Sequence, residues 1–203
     1  MKGYVTVILR GYTYEQVKTV CEVLKMGSKV KNVEITLNTE NALDTIKKIV
    51  SQYQGALCIG AGTVIHFDAL KAVIALGVSF VLSPIGFTQE MIQYCKEHHV
   101  TSIPAAFTPS EIYHQIQLGA DIIKVFPANE VSQNYANKVC EPLGALPLMA
   151  VGGVNSGNVK EILTKGGYTY AGSAGGIFKK EDILQQNVEN LKKSLLIFEE
   201  QLP

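Results

Sequence analysis

A lone lysine interrupts an otherwise apolar run, Ile122-Ile123-Lys124-Val125-Phe126-Pro127. Desolvation in such a setting lowers an amine's pKa and makes free amine available near neutral pH, the form that attacks a ketone carbonyl. A carboxylate interrupts a second run, Val33-Glu34-Ile35-Thr36-Leu37-Asn38. An ionised carboxylate in an apolar interior is costly unless it is paired or put to use. Two readings of the pair are open. Lys124 and Glu34 form a structural ion pair, or the amine adds to a carbonyl while the carboxylate moves protons; both can hold. The only arginine among the 18 basic residues is Arg10. Its rigid fork suits a carboxylate or a phosphate in a site, or a structural ion pair.

These residues lie on short β-branched runs at 5–9, 33–37, 57–59, 79–82, 101–103, 121–125, 146–151 and 169–171. Between the runs, apolar residues recur at helical spacing, as in Val17, Val20, Cys21 and Leu24. Helix starts are expected at Thr13 with Gln16, Thr39 with Ala42, Thr108-Pro109 with Glu111, and Asn155 before Val159. Left-handed helix ends are expected at Gly27, Gly77, Gly119 and Gly166. Eight β/α units in 203 residues predict an α/β fold, a (β/α)₈ TIM barrel, as one compact domain over residues 1–203. A flavodoxin-like doubly wound sheet is the alternative, but it needs only about five strands.

In a barrel, chemistry gathers at the C-terminal ends of the strands. Period two puts Glu34, Thr36 and Asn38 on one face of their strand, and helices cover the outside, so that polar set must point inward. Ile122, Lys124 and Phe126 share a face by the same parity. Gly60-Ala61-Gly62-Thr63 would let a ligand approach backbone and offers a hydroxyl. Val151-Gly152-Gly153-Val154-Asn155 and Gly172-Ser173-Ala174-Gly175-Gly176 follow the last two strands, where barrels commonly hold phosphate on bare N–H groups.

Composition narrows the function. Acids and bases balance at 18 each, so no global field recruits nucleic acid or an anionic membrane. The four cysteines are scattered and the four histidines form no zinc motif, so neither metal nor cofactor is expected. No apolar run reaches membrane-spanning length, and Met1-Lys2-Gly3-Tyr4 leads into a strand without a signal peptide's apolar core. A cytoplasmic protein acting on a small molecule is expected.

Taken together, Leu9-Arg10, Val33-Glu34-Ile35-Thr36, Gly60-Ala61-Gly62-Thr63, Ser83-Pro84, Ile103-Pro104, Lys124-Val125-Phe126-Pro127-Ala128, Gly152-Gly153 and Gly172-Ser173 resemble the aldolases of 2-keto-3-deoxy-6-phosphogluconate and 4-hydroxy-2-oxoglutarate. The resemblance runs essentially end to end. It implies Lys124 as the Schiff-base residue and Glu34 as the proton shuttle. Thr63 would help hold the pyruvyl carboxylate, Phe126 and Pro104 would wall its methyl, and Gly152, Gly153, Gly172 and Ser173 would hold the phosphate. It also implies a homotrimer and the products pyruvate and glyceraldehyde 3-phosphate.

Three departures bear on the substrate. Asn38 stands where many gluconate-type members carry arginine, which shifts carboxylate binding toward Arg10. Pro104-Ala105 replaces Pro-Gly, and Val151 replaces threonine before the glycine pair. Asn38 and Val151 look like the aldolases acting on the galactonate epimer, so either epimer is a candidate. From another class, a phosphosugar epimerase or isomerase would use the same phosphate loops but would need paired acids or a metal. A barrel that binds phosphate without catalysis leaves the buried lysine unexplained.

Overall fold

The computed structural model describes residues 1–203. Parallel strands β1 (Val5–Leu9), β2 (Asn32–Thr36), β3 (Cys58–Gly62), β4 (Phe80–Leu82), β5 (Thr101–Ile103), β6 (Ala105–Ala106), β7 (Ile123–Val125), β8 (Leu148–Val151) and β9 (Tyr170–Ser173) form one sheet. Its order is β5-β4-β3-β2-β1-β9-β8-β7-β6. The two ends of that list are consecutive in the chain. They are the two halves of one strand, interrupted at Pro104.

Eight strands were expected and nine segments are found, because proline has no N–H to give to the ladder. The ring closes at this break: β5 pairs with β4 and β6 with β7, and Lys124 N donates to Pro104 O at 2.9 Å. The barrel architecture stands. Two strands also run past their expected ends. Gly60-Ala61-Gly62 lies within β3 and Gly172-Ser173 within β9, where the sequence reading ended both strands earlier.

Helices α1 (Tyr14–Met26), α2 (Ala42–Tyr53), α3 (Phe67–Ala75), α4 (Gln89–Glu97), α5 (Pro109–Leu118), α6 (Tyr135–Leu143), α7 (Val159–Thr164), α8 (Lys180–Leu184) and α9 (Val188–Glu200) cover the ring. Thr13 and Thr108 cap α1 and α5 in reciprocal boxes with Gln16 and Glu111. Two expected caps are corrected. Asn41, in a left-handed conformation, precedes α2, because Thr39 is engaged by other hydroxyl and backbone groups. Asn158 rather than Asn155 precedes α7. Gly77 and Gly119 adopt the left-handed conformation, whereas Gly27 is extended and Gly167, not Gly166, turns the chain after α7. No helix is long and apolar enough to cross a membrane.

Apolar side chains separate into two cores. The larger lies between strands and helices and includes Val7, Leu24, Ile35, Ile46 and Phe198. The smaller fills the barrel: Ile8, Cys58, Phe80, Leu82, Ile103, Ile122, Met149 and Val151. Alternation along each strand makes this division, one residue to each side in turn.

The last helix is tied down by one carboxylate. Glu199 accepts hydrogen bonds from the backbone N–H groups of Ser28, Lys29 and Val30, at 2.8–3.1 Å, and from the Ser28 hydroxyl at 2.9 Å. Burial pushes this carboxyl's pKa up, but the donors of Ser28, Val30 and Lys29 together bring it below the usual glutamate range. The native state therefore holds the proton less tightly than the unfolded chain. The stabilisation is full above the ordinary glutamate pKa and is lost as pH falls through the folded value. Glu199→Ala should lower the unfolding free energy by about 2–4 kcal/mol, because several donors lose their partner together. Urea denaturation checks this, and the gap between wild type and variant should narrow in acid. A gap independent of pH would show that the carboxylate is not what holds α9.

Candidate active site

Lys124 occupies the middle of β7, in register with Ala105 on one side and Met149 on the other. It is the only buried lysine of the chain. Its neighbours along the strand, Ile123 and Val125, belong to the outer core, so the amine points into the barrel. Its Nζ stands 4.6 Å from the centre of the Phe126 ring. Burial lowers the Lys124 pKa, Glu34 opposes that shift, and the Arg10 guanidinium adds to it.

Glu34 lies on β2, in register with Ile8 and Gly60. In the sheet order, four steps separate β2 from β7 in either direction when β5 and β6 count as one strand. The carboxylate and the amine thus face each other across the full ring. The four ion pairs of the protein all join exposed neighbours on one helix, and Glu34 and Lys124 form none. Glu34 Oε2 is buried without any hydrogen-bond partner. Burial raises the Glu34 pKa, against the lowering effects of Lys124 and Arg10. A structural ion pair is therefore not what holds these groups in the interior. Both are pushed toward their neutral forms, as proton transfer at a dry carbonyl requires.

The glycines of β3 serve this arrangement rather than a ligand's approach. A Cβ on Gly62 would fall 1.6 Å from Glu34 Oε1, and one on Gly60 would fall 2.2 Å from the Phe80 ring. Thr63, directly after Gly62, has a φ of 58°, rare for a β-branched residue. Such strain persists only where its surroundings enforce it, commonly at functional sites.

Above the amine opens a cleft of about 550 Å³. It brings together Arg10, Lys124, Phe126, Val151, Gly152, Gly153 and Gly172 of the residues expected from the sequence. Glu34 lies beneath it, 1% exposed. Thr36, Asn38, Thr63, Pro104 and Ser173 are not among its walls. Asn38 is exposed beyond the end of β2. Thr36 Oγ1 pairs with Thr39 Oγ1 at 3.1 Å, and Thr39 Oγ1 accepts from Gly11 N at 2.9 Å, fixing the backbone beside Arg10. Pro104 is buried and uses its carbonyl to close the ring.

Ser173 was expected to hold phosphate. Its hydroxyl donates to Val154 O at 2.7 Å and accepts from Gly176 N at 3.0 Å, clasping the two glycine loops together. The sequence reading missed Thr39 and Asn158 as organisers of the site. The dense hydroxyl and amide residues at 36–39 and 155–158 were the available signal, since such side chains bond nearby backbone.

The family model for KDPG and KHG aldolase matches residues 2–194. The chain belongs to this family. It is 33% identical over 136 residues to a 2-dehydro-3-deoxy-phosphogluconate aldolase of Pseudoalteromonas atlantica, covering 66% of this chain and 62% of that relative. It is 29% identical over 161 residues to the 2-dehydro-3-deoxy-6-phosphogalactonate aldolase of Escherichia coli, covering 78% and 77%. The match thus spans less than two thirds of the length of the gluconate-type relative. A KDPG aldolase from Legionella pneumophila, solved with pyruvate captured as a covalent carbinolamine, superposes with a TM-score of 0.86 at 24% identity, covering 96% of this chain and 93% of that one. At that identity the likeness concerns the fold.

Two substitutions test this geometry. Gly62→Ala should displace the Glu34 carboxylate and lower kcat by about 10²–10⁴-fold, the scale of lost acid–base catalysis. Wild-type kcat in that variant would mean that Glu34 takes no part. Lys124→Met removes a desolvated amine from an apolar interior and should raise the thermal midpoint while abolishing activity. A lysine whose pKa falls on folding binds its proton less well in the native state, so the penalty grows as pH drops below the ordinary lysine range. The gain should accordingly be larger at neutral pH than in strong alkali, and a destabilised variant at neutral pH would contradict it.

Proposed function

We propose that this chain is a class I aldolase that cleaves 2-keto-3-deoxy-6-phosphogluconate, and 4-hydroxy-2-oxoglutarate as a second substrate, through a Schiff base on Lys124. The observation that carries the reading is a single buried lysine, lowered in pKa, at the floor of a cleft and facing an unpaired carboxylate. Family membership supports it.

Neutral Lys124 adds to the C2 ketone, and the carbinolamine loses its hydroxyl as water with a proton from neutral Glu34, which leaves an iminium and the Glu34 carboxylate. Glu34, directly or through a water, takes the C4 hydroxyl proton as the C3–C4 bond breaks. The electron pair of that bond passes into the iminium as an enamine, and glyceraldehyde 3-phosphate leaves. Glu34 returns a proton to C3, and hydrolysis frees pyruvate. From 4-hydroxy-2-oxoglutarate the second product is glyoxylate. Arg10 supplies a cation for the substrate carboxylate, Phe126 a wall for the pyruvyl methyl, and the loops after β8 and β9 the phosphate seat.

A homotrimer fits an exposed apolar rim that includes Ile85, Phe107 and Tyr113, where Tyr135 Oη bonds Phe107 O. Light scattering of the purified protein checks it. The four unpaired cysteines suit a reducing cytoplasm.

Sodium borohydride with pyruvate should inactivate the protein and add one reduced pyruvyl group, mapped by mass spectrometry to Lys124. Labelling elsewhere, or none, overturns the proposal in favour of an isomerase or a binding barrel. The epimer is a finer question. Val151 walls the cleft beside Gly172 and offers no hydrogen bond to a C4 hydroxyl. An apolar wall tolerates both epimers, so gluconate- and galactonate-type phosphates should both be cleaved. Val151→Thr should shift the kcat/KM ratio toward the gluconate epimer by about tenfold, the worth of one hydrogen bond. An unchanged ratio removes Val151 from the choice.

A further inference from the structure

The loop from β8 to α7 forms part of the cleft wall, yet its shape is set by side chains on its far side. Gly153 O accepts two side-chain amides, Asn155 Nδ2 at 3.0 Å and Asn158 Nδ2 at 2.9 Å. Asn158 Oδ1 accepts from Asn155 N at 2.8 Å, and Asn155 Oδ1 from Gly157 N at 2.8 Å. Asn158 alone therefore ties both ends of the turn, a carbonyl before Val154 and an N–H after it. In a trans peptide the carbonyl and the following N–H point in opposite directions. Holding Gly153 O toward α7 turns the Val154 N–H the other way, and Val154 lines the cleft.

The rest of the loop needs this restraint. Gly152 and Gly153 sit at φ 119° and 70°, backbone that glycine adopts readily and also leaves readily. Asn129 blocks collapse from below: a Cβ on Gly152 would stand 2.5 Å from its Oδ1, and one on Gly153 3.0 Å from its Cβ. On the other side, Val154 O accepts the Ser173 hydroxyl. An anion bound to a floppy loop loses affinity to the ordering it imposes, whereas a tied loop has already met that cost.

We propose that Asn158 is a positioning residue for anion binding: by fixing Gly153 O and Asn155 N it aims the Val154 N–H into the cleft, and it sets phosphate affinity without touching the ligand. The inference rests on the aldolase reading only in taking the substrate's phosphate to be the anion.

The test compares wild type and Asn158→Ala for kcat and KM with the phosphorylated substrate and with 4-hydroxy-2-oxoglutarate. Inorganic phosphate, binding by calorimetry and as a competitive inhibitor, is the independent probe. The ratio of the two KM values and the Kd for inorganic phosphate should each rise about tenfold, as for one lost hydrogen bond. In the same variant, kcat for the phosphorylated substrate should stay within about threefold, because Lys124 chemistry is not touched. Equal KM changes for both substrates, or an unchanged phosphate Kd, overturn the proposal. Asn155→Ala removes the second donor to Gly153 O together with the acceptor of Gly157 N and, should Asn158→Ala fail to fold, replaces it; a smaller rise of about threefold is expected, and no rise overturns the proposal. If wild type fails to trap pyruvate, the aldolase reading falls alone, since phosphate binding still decides the role of Asn158.

Discussion

An amine and a carboxylate are desolvated on opposite sides of one narrow barrel, too far apart to neutralise each other by contact. Each is driven toward its uncharged form by burial, and each still feels the other's charge and that of Arg10. Such a pair is costly to bury. The fold accommodates it locally: Gly62 leaves the volume that Glu34 fills, Gly60 leaves the volume of Phe80, and Pro104 gives its carbonyl to the backbone of Lys124. The smaller apolar core inside the ring excludes water from both groups.

On the proposed reading, chemistry and recognition fall on different parts of the barrel. Lys124 and Glu34 stand on strands whose positions the sheet ladder determines, so their separation is rigid. The proposed anion seat stands on loops, which need side-chain ties to keep a shape. Ser173 joins the loop after β9 to the one after β8, Asn158 and Asn155 hold that second loop, and Thr39 braces the backbone next to Arg10. Loop variation can thus change the ligand while strand geometry preserves the reaction, as is usual for this architecture.

The alternation of β-branched runs and helical periods made the barrel legible, and parity alone put Lys124 and Glu34 inside it. Parity could not tell that Asn38 lies past the end of the sheet, because a strand's last residue is decided by its neighbours' ladder. Nor could it foresee that β5 and β6 are one strand broken at Pro104. Motif reading treated Gly60 and Gly62 as space for a ligand, and the resemblance put Ser173 among the residues that hold phosphate. Space opposite a glycine can be filled by another side chain, here Glu34 or Phe80, and a hydroxyl can be spent on backbone. Those contacts are long-range in sequence, and no local pattern encodes them.

The division of labour between the two buried groups is most directly tested by exchange of the pyruvate methyl protons with deuterated water, followed by NMR. In the proposed mechanism, exchange needs the Lys124 iminium and a base at C3, but no phosphate and no cleavage of the C3–C4 bond. Wild type should exchange the methyl, Lys124→Met should not, and Glu34→Gln should still form the iminium yet exchange about 10²–10⁴-fold more slowly. Exchange at the wild-type rate in Glu34→Gln, or any catalysed exchange in Lys124→Met, would contradict the account.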